Sequence, residues 1–87
     1  MQKGIQMSSY ICEKCGSIEN TALGGYWKNL RDKKPVMCSE CNFGNWHGEF
    51  PKEHWSKYGV KQLLEWEKRN DGSMINAKEY FHRKGLV

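Results

Sequence analysis

The sequence lacks any apolar stretch that approaches the roughly 20 residues needed to cross a bilayer. Its start, MQKGIQMSS, also lacks the charged and apolar regions of a secretory signal. We therefore expect a protein of the cytoplasm with no membrane association. Because such a compartment is reducing, structural disulfides are disfavoured in it.

Motifs for catalysis are absent as well. The sequence has no glycine-rich phosphate-binding loop, no nucleophile elbow and no motif for an open metal site. Histidine is scarce, and none lies within residues 12–41, where a nuclease of the HNH type framed by cysteine pairs would carry it. We therefore expect that the protein is not an enzyme.

The chain is short, with 87 residues, and at this size surface dominates volume, so it can bury only a modest core. Domains this small usually need an additional constraint, such as a bound metal. Aromatic residues are frequent, with 4 Trp, 4 Tyr and 3 Phe, and each ring buries a large area. We expect a core built largely from aromatic side chains.

The four cysteines form two Cys-x-x-Cys pairs, Cys12 with Cys15 and Cys38 with Cys41. Two tight turns can each direct a pair of thiolates at one ion, which gives a tetrahedral site with sulfurs about 2.3 Å from zinc. Neither pair has the βαβ setting of a redox motif, and disulfides are disfavoured in the cytosol. The spacing predicts one structural Zn²⁺ held by all four cysteines, with iron as the less common occupant of the same ligands.

Each metal-binding turn is expected to place a residue with positive φ directly after its second cysteine, so that backbone N–H groups point at the sulfurs. Gly16 follows Cys15, and Asn42, which is the next most tolerant residue type, follows Cys41. Four thiolates saturate zinc, so we expect His47 to be a hydrogen-bonded or surface imidazole and not a ligand.

Composition divides the chain into three segments. Residues 1–9 are polar and unpatterned, and we expect a flexible leader there. Residues 10–51 hold the cysteines and are punctuated by glycine and proline, which favours turns and short strands. Residues 52–87 are richer in helix formers and predict a helical extension that either packs on the cysteine module or projects from it.

The extension is predicted to begin with a short helix from Pro51 through Lys57, because proline is tolerated in a first turn. An amphipathic helix follows and ends at residues 70–72, with an apolar stripe of Val60, Leu63, Leu64 and Trp66. If this helix projects, the stripe is a site for a protein partner or for a homo-oligomer formed through the C-terminal helices.

The last predicted helix has Asn76 as its N-cap, Glu79 three residues later as in a capping box, and Gly85 as its end. Tyr80 and Phe81 share one face of it. We expect these two rings to dock the helices on the cysteine module together with Trp55, Tyr58 and Trp66.

The net charge is weakly positive. The formal value is +4, and four thiolates on one divalent ion leave roughly +2. Residues 28–34 contain one acid, Asp32, and four cations, which are Lys28, Arg31, Lys33 and Lys34. This run predicts either a solvated loop or a contact for nucleic acid or another acidic partner.

Large rings lie close to this run and to the second cysteine pair. They are Tyr26, Trp27, Phe43, Trp46 and Phe50. The first interpretation is that these rings form an aromatic core around the metal. The second is a platform for stacking bases, which would be favoured by a ring exposed beside Lys28 and Arg31.

The segments YICEKCGS and PVMCSECNFG resemble the two knuckles of rubredoxin-like zinc ribbons, over residues 10–48. The resemblance implies the four cysteines as ligands and a β-rich zinc ribbon with two knuckles, while the helical extension has no counterpart in rubredoxins. Taken together, the ribbon and the extension predict a small α+β fold in which a β-rich zinc ribbon is followed by two or three short C-terminal α-helices. Rubredoxins are acidic, whereas the insert between the knuckles is basic here. That difference weighs against a role in electron transfer.

A wider set of strings, ENTALGGYW, CSEC and NWHGEFPKE, is similar to small uncharacterised zinc-finger proteins of phages and prophages. This similarity implies an accessory protein in the host cytoplasm. The sequence as a whole predicts a non-catalytic zinc-binding protein whose partner is a protein, such as one of the host. A nucleic-acid-binding zinc ribbon is the first alternative, and a rubredoxin-like iron electron carrier is the second.

Overall fold

The computed structural model describes residues 8–69 and 74–87, which form a small α+β fold. In chain order its elements are β1 (Ser9–Ile11), β2 (Ile18–Asn20), α1 (Tyr26–Arg31), α2 (Ser39–Phe43), a 3-10 helix (Trp55–Lys57), α3 (Val60–Lys68) and α4 (Ala77–Arg83). Most of the predicted leader and the predicted helix end at residues 70–72 lie outside these ranges. No helix in the described ranges has the length and apolarity needed to cross a membrane.

The two strands form an antiparallel hairpin in which Tyr10 lies opposite Glu19. A third stretch of extended backbone joins the hairpin at its loop end: Ile18 N donates to Glu53 O over 2.8 Å, and Trp55 N donates to Gly16 O over 3.0 Å. The chain after the cysteine module is thereby fixed against the loop of the hairpin.

This backbone pairing corrects the prediction of a helix from Pro51. Because residues 53 and 54 are held extended against the hairpin, helical structure begins only at Trp55. His54 is the N-cap of the 3-10 helix, and its Nδ1 accepts a hydrogen bond from Ser56 N over 3.1 Å.

The cysteine-bearing half contains less strand and more helix than the predicted β-rich ribbon. Its two strands are three residues each, and α1 and α2 follow them. The helix α2 forms because Cys38 has the extended backbone of an N-cap, Glu40 lies in the first turn, and Gly44 ends the helix at a φ of 90°.

The main hydrophobic core joins α3 and α4 to β1. Its buried members are Ile11, Leu63, Met74, Ala77, Tyr80 and Phe81. The ring of Trp55 packs against that of Phe81 with centroids 5.1 Å apart. Within the predicted apolar stripe of α3, Leu63 is completely buried, while Val60, Leu64 and Trp66 are partly buried against the same core. The stripe therefore faces the interior of the fold.

Asn76 lies at the predicted N-cap position of α4, but its side chain makes no capping hydrogen bond. Instead, Oδ1 accepts from Ile11 N over 2.8 Å, and Nδ2 donates to Ile11 O over 3.0 Å. The neighbouring Ile75 N donates to Ser9 O over 3.0 Å. The residues before α4 thus cover the outer edge of β1, which would otherwise expose unpaired backbone groups.

We expect Leu63→Ala to lower the free energy of unfolding by about 3 kcal/mol, because it removes buried methyl groups and leaves a cavity in the core. Leu86→Ala is the matched control, since Leu86 is 47% exposed, and its effect should stay within about 0.5 kcal/mol. Denaturant titration of both variants measures the difference. Equal effects would contradict the assignment of Leu63 to the core.

Candidate metal centre

The first cysteine pair lies in the loop of the hairpin. Cys12 directly follows β1, and the loop is closed by hydrogen bonds from Cys12 N to Ser17 O (2.8 Å) and from Gly16 N to Cys12 O (2.9 Å). Cys15 N lies 3.4 Å from Cys12 Sγ and points a backbone donor at that sulfur. Hydrogen bonds of this kind stabilise the negative charge of a thiolate ligand.

The second pair belongs to α2. Cys38 is its N-cap and Cys41 is the third of its five residues. Asn42 N donates to Cys38 O over 2.9 Å, so the helix turn fixes the spacing of the two cysteines. The first pair is thus held by a hairpin loop and the second by one helical turn.

The four sulfur atoms converge on one point. All of them lie within 4.8 Å of one another. Cys12 Sγ is 3.7 Å from Cys41 Sγ, and Cys15 Sγ is 3.7 Å from Cys38 Sγ. A disulfide bond would need about 2.05 Å, whereas tetrahedral zinc with bonds of about 2.3 Å places its sulfurs about 3.8 Å apart. The spacing of these sulfurs therefore fits a four-coordinate metal ion.

The thiols influence one another's ionisation. Burial raises the pKa of Cys12. Burial, followed by hydrogen bonding with the sulfurs of Cys38 and Cys12, raises the pKa of Cys41. Burial acts in the same direction on Cys15, but hydrogen bonds with the side chain and backbone of Ser17 lower its pKa to about 7. A divalent cation supplies the positive charge that four ionised sulfurs at this spacing require.

Gly16 has the positive φ predicted for it, 79°. A Cβ atom at this position would lie 2.5 Å from His54 Nε2 and 3.1 Å from Trp55 Cδ1. Both the backbone conformation and the close approach of the 3-10 helix therefore require glycine here. Through this contact His54 and Trp55 pack directly against the loop that carries Cys12 and Cys15.

The prediction for Asn42 is wrong, because this residue is helical and the residue with positive φ is Gly44. The Asn42 side chain is instead a hydrogen-bonding hub. Its Nδ2 donates to Gly24 O (2.6 Å) and Met37 O (2.9 Å), and its amide pairs with that of buried Asn29 at 2.9 Å. These bonds join α2 to α1.

A buried carboxylate lies behind the second cysteine pair. Glu19 is completely buried, and its Oε2 accepts from Ser39 N, the first amide of α2, over 3.0 Å. Its Oε1 is 2.7 Å from His47 Nε2. Because His47 Nδ1 accepts from Glu49 N over 2.9 Å, the Nε2 of a neutral imidazole carries the proton and donates it to Glu19. Glu19 thereby fixes the start of α2 and the loop that follows it.

Sequence reasoning missed this carboxylate, because a single acidic residue between the two cysteine pairs gives no sign that it is buried. Its partner His47 lies outside the sulfur cluster. The imidazole is enclosed by the rings of Trp46 and Phe50, with centroids 4.3 Å and 4.6 Å away. The histidine is thus a hydrogen-bonded residue next to the metal centre.

The other candidate residues lie on α1 and directly after it. Lys28 and Arg31 are on α1, and Lys33 and Lys34 follow it, all of them exposed. Of the neighbouring rings, Tyr26 packs on buried Tyr10 with centroids 4.8 Å apart, whereas Trp27 is 63% exposed and Phe43 is 55% exposed. The interpretation of these rings as an aromatic core around the cysteines therefore holds for only some of them.

No known family model matches the chain, and no curated protein or solved structure is significantly similar to it. The likeness to rubredoxin-like zinc ribbons and to phage zinc-finger proteins thus rests on the quoted motifs. The geometry establishes a cluster of four cysteines that could hold one metal ion.

We expect Glu19→Gln to weaken metal binding about tenfold while leaving one ion per chain. The substituted amide nitrogen cannot accept a hydrogen bond, so either Ser39 N or His47 Nε2 loses its partner. Competition with a chromophoric chelator measures the affinity for Zn²⁺ or Co²⁺.

The control is Glu65→Gln on α3, where an exposed carboxylate lies 4.0 Å from the surface residue Lys68. Its metal affinity should equal that of the original chain. Unchanged affinity in Glu19→Gln would contradict a role for this carboxylate in positioning the second cysteine pair.

Proposed function

We propose that this chain is a non-catalytic binding protein, in which one structural Zn²⁺ stabilises a zinc-ribbon-like module that presents α1 to a macromolecular partner. The observation that carries the proposal is the convergence of four cysteine sulfurs within 4.8 Å. Four thiolates fill the tetrahedral coordination of zinc and leave no position for a reactive water. A site of this kind stabilises a fold and does not catalyse a reaction.

A chain of direct contacts leads from the metal ligands to α1. Cys38 and Cys41 lie at the two ends of one turn of α2, and Asn42 on the same turn bonds to Asn29 in α1. Phe43, the last residue of α2, lies close to Gly25, the residue before α1. A Cβ atom added to Gly25 would be 3.1 Å from the ring of Phe43. Loss of the metal would therefore loosen α2 and, with it, the support of α1.

The ligand set supports zinc as the metal. Closed four-sulfur sites are typical of structural zinc, although the same ligands also bind iron. Four exposed cations lie on and after α1, which is unlike the acidic surface of rubredoxins. We therefore assign the site a structural role and no redox role.

We expect the purified protein to be colourless, to contain one zinc per chain and to unfold when a strong chelator removes the ion, because metal binding and folding are coupled in small domains. Elemental analysis gives the metal content, and near-ultraviolet circular dichroism follows the ordered aromatic side chains before and after chelation. Restoring zinc should restore the spectrum.

Two results would overturn the proposal. A red protein with stoichiometric iron would indicate the electron carrier. A protein that keeps its near-ultraviolet spectrum after complete removal of the metal would show that the ion does not stabilise the fold.

A further inference from the structure

Three large apolar side chains on or beside α1 are exposed: Trp27 and Leu30 belong to the helix, and Phe43 lies beside Gly25, the residue before it. These side chains are 63%, 47% and 55% exposed. Trp27, Leu30 and Arg31 are spaced three and four residues apart on α1 and therefore share one face of that helix. Trp27 touches Tyr26 edge-on, with centroids 5.0 Å apart, so one edge of its indole is braced while most of the ring remains open to solvent.

The same region carries cations that are poorly neutralised. Lys28 and Arg31 share a single acid, Asp32, at 3.7 Å and 3.5 Å. Lys33 and Lys34 make no ion pair within the described part of the chain. The acids Glu13 and Glu79 line one cavity together with Lys33 and Lys34, but their carboxylates pair with Arg83. The cations on and after α1 therefore leave a net positive surface.

Lys33 occupies a backbone conformation that favours glycine. Its φ is 57°, and among the described residues it is the one non-glycine residue with positive φ. Lys33 N donates to Leu30 O and Lys34 N to Asn29 O, which is the hydrogen-bond pattern of a Schellman motif with Lys33 at the C′ position. A lysine in this position is strained, and glycine would be more stable there. Replacing Lys33 by glycine therefore removes its charge without a loss of stability.

We infer that this surface binds single-stranded nucleic acid, with the exposed rings of Trp27 and Phe43 stacking on bases and Lys28, Arg31, Lys33 and Lys34 contacting phosphates. Exposed rings beside cations are the combination by which proteins hold single strands. A duplex hides the faces of its bases, so these rings would have nothing to stack on. Protein interfaces are depleted in lysine, whereas three of these four cations are lysines.

The inference rests on the proposed function, because α1 is held in place by the metal-bearing helix α2. Its test therefore uses protein whose zinc content and circular dichroism have first been measured. If these measurements show a metal-free or unfolded chain, the proposed function fails. If they show a zinc-loaded folded chain, the outcome of binding bears on this inference alone.

The probes are a fluorescently labelled oligothymidine strand, the corresponding oligouridine strand, a DNA duplex and polyglutamate. We expect anisotropy to show that both single strands bind more tightly than the duplex. Affinity should fall with salt, by up to about 0.7 in log K per log unit of salt for each phosphate contact. Absence of single-strand binding at low salt overturns the inference, as does equal affinity for the duplex.

Two variants separate stacking from general charge. Trp27→Ala should weaken single-strand binding about tenfold, and Trp27→Phe should recover most of the loss, because both aromatic side chains stack on bases. The indole is exposed, so neither change should alter the far-ultraviolet circular dichroism, which reports the secondary structure. Equal binding by Trp27→Ala and the original chain overturns the stacking role.

Lys33→Gly is the most discriminating variant, because it should make the protein more stable and a weaker binder. Relief of the positive φ is expected to raise Tm by about 4 °C. The loss of one phosphate contact should lower the steepness of the salt dependence by about 0.7. Lys61→Ala, which removes an exposed charge from α3, is the control for net charge and should leave this slope unchanged.

Two further outcomes count against the inference. If Lys61→Ala weakens binding as much as Lys33→Gly does, the attraction comes from net charge and not from the α1 surface. If polyglutamate binds and the single strands do not, the surface recognises an acidic protein instead.

Discussion

The constraint on which the first half of the structure depends is the convergence of four cysteine sulfurs within 4.8 Å of one another. Cys12 and Cys38 are fully buried, and each is 3.7 Å from a sulfur of the other pair. The elements that carry them are a hairpin with three-residue strands and a five-residue helix. Neither would be stable alone, because short hairpins and single helical turns do not offset their conformational entropy. The metal ion that we propose at this cluster would join them and supply the free energy that this half of the chain lacks.

The remaining contacts distribute this constraint through the molecule by means of buried polar side chains. Glu19 connects β2 to the first amide of α2, and Asn42 connects α2 to α1. Asn76 connects α4 to the backbone of β1. Each satisfies backbone or amide groups that burial would otherwise leave without partners, which would cost about 1–3 kcal/mol for each group. The hydrophobic core under α3 and α4 and the metal centre thus share one framework, with β1 common to both.

Local patterns predicted some of this organisation well. The Cys-x-x-Cys spacing located the cluster of four cysteines, Gly16 took the expected φ, and the periodicity and helix-end signals of the C-terminal segment located α3 and α4. For Asn42 and Asn76 the patterns did not predict the hydrogen-bond partners, which lie far away in sequence. Local rules assigned both to backbone roles, whereas tertiary contacts engage their side chains. The exposure of Trp27 could not be predicted either, because sequence alone does not say which rings a small core can enclose.

The pairing between the two ends of the described chain affects the order in which the protein can fold during synthesis. All four cysteines are translated by residue 41, so they can converge before α4 has left the ribosome. The segment that covers β1, Ile75 with Asn76, emerges later. Until then the nascent protein presents an open strand edge that could pair with another chain. The hairpin that carries the first cysteine pair is therefore most exposed to aggregation after the cysteines have converged and before α4 covers β1.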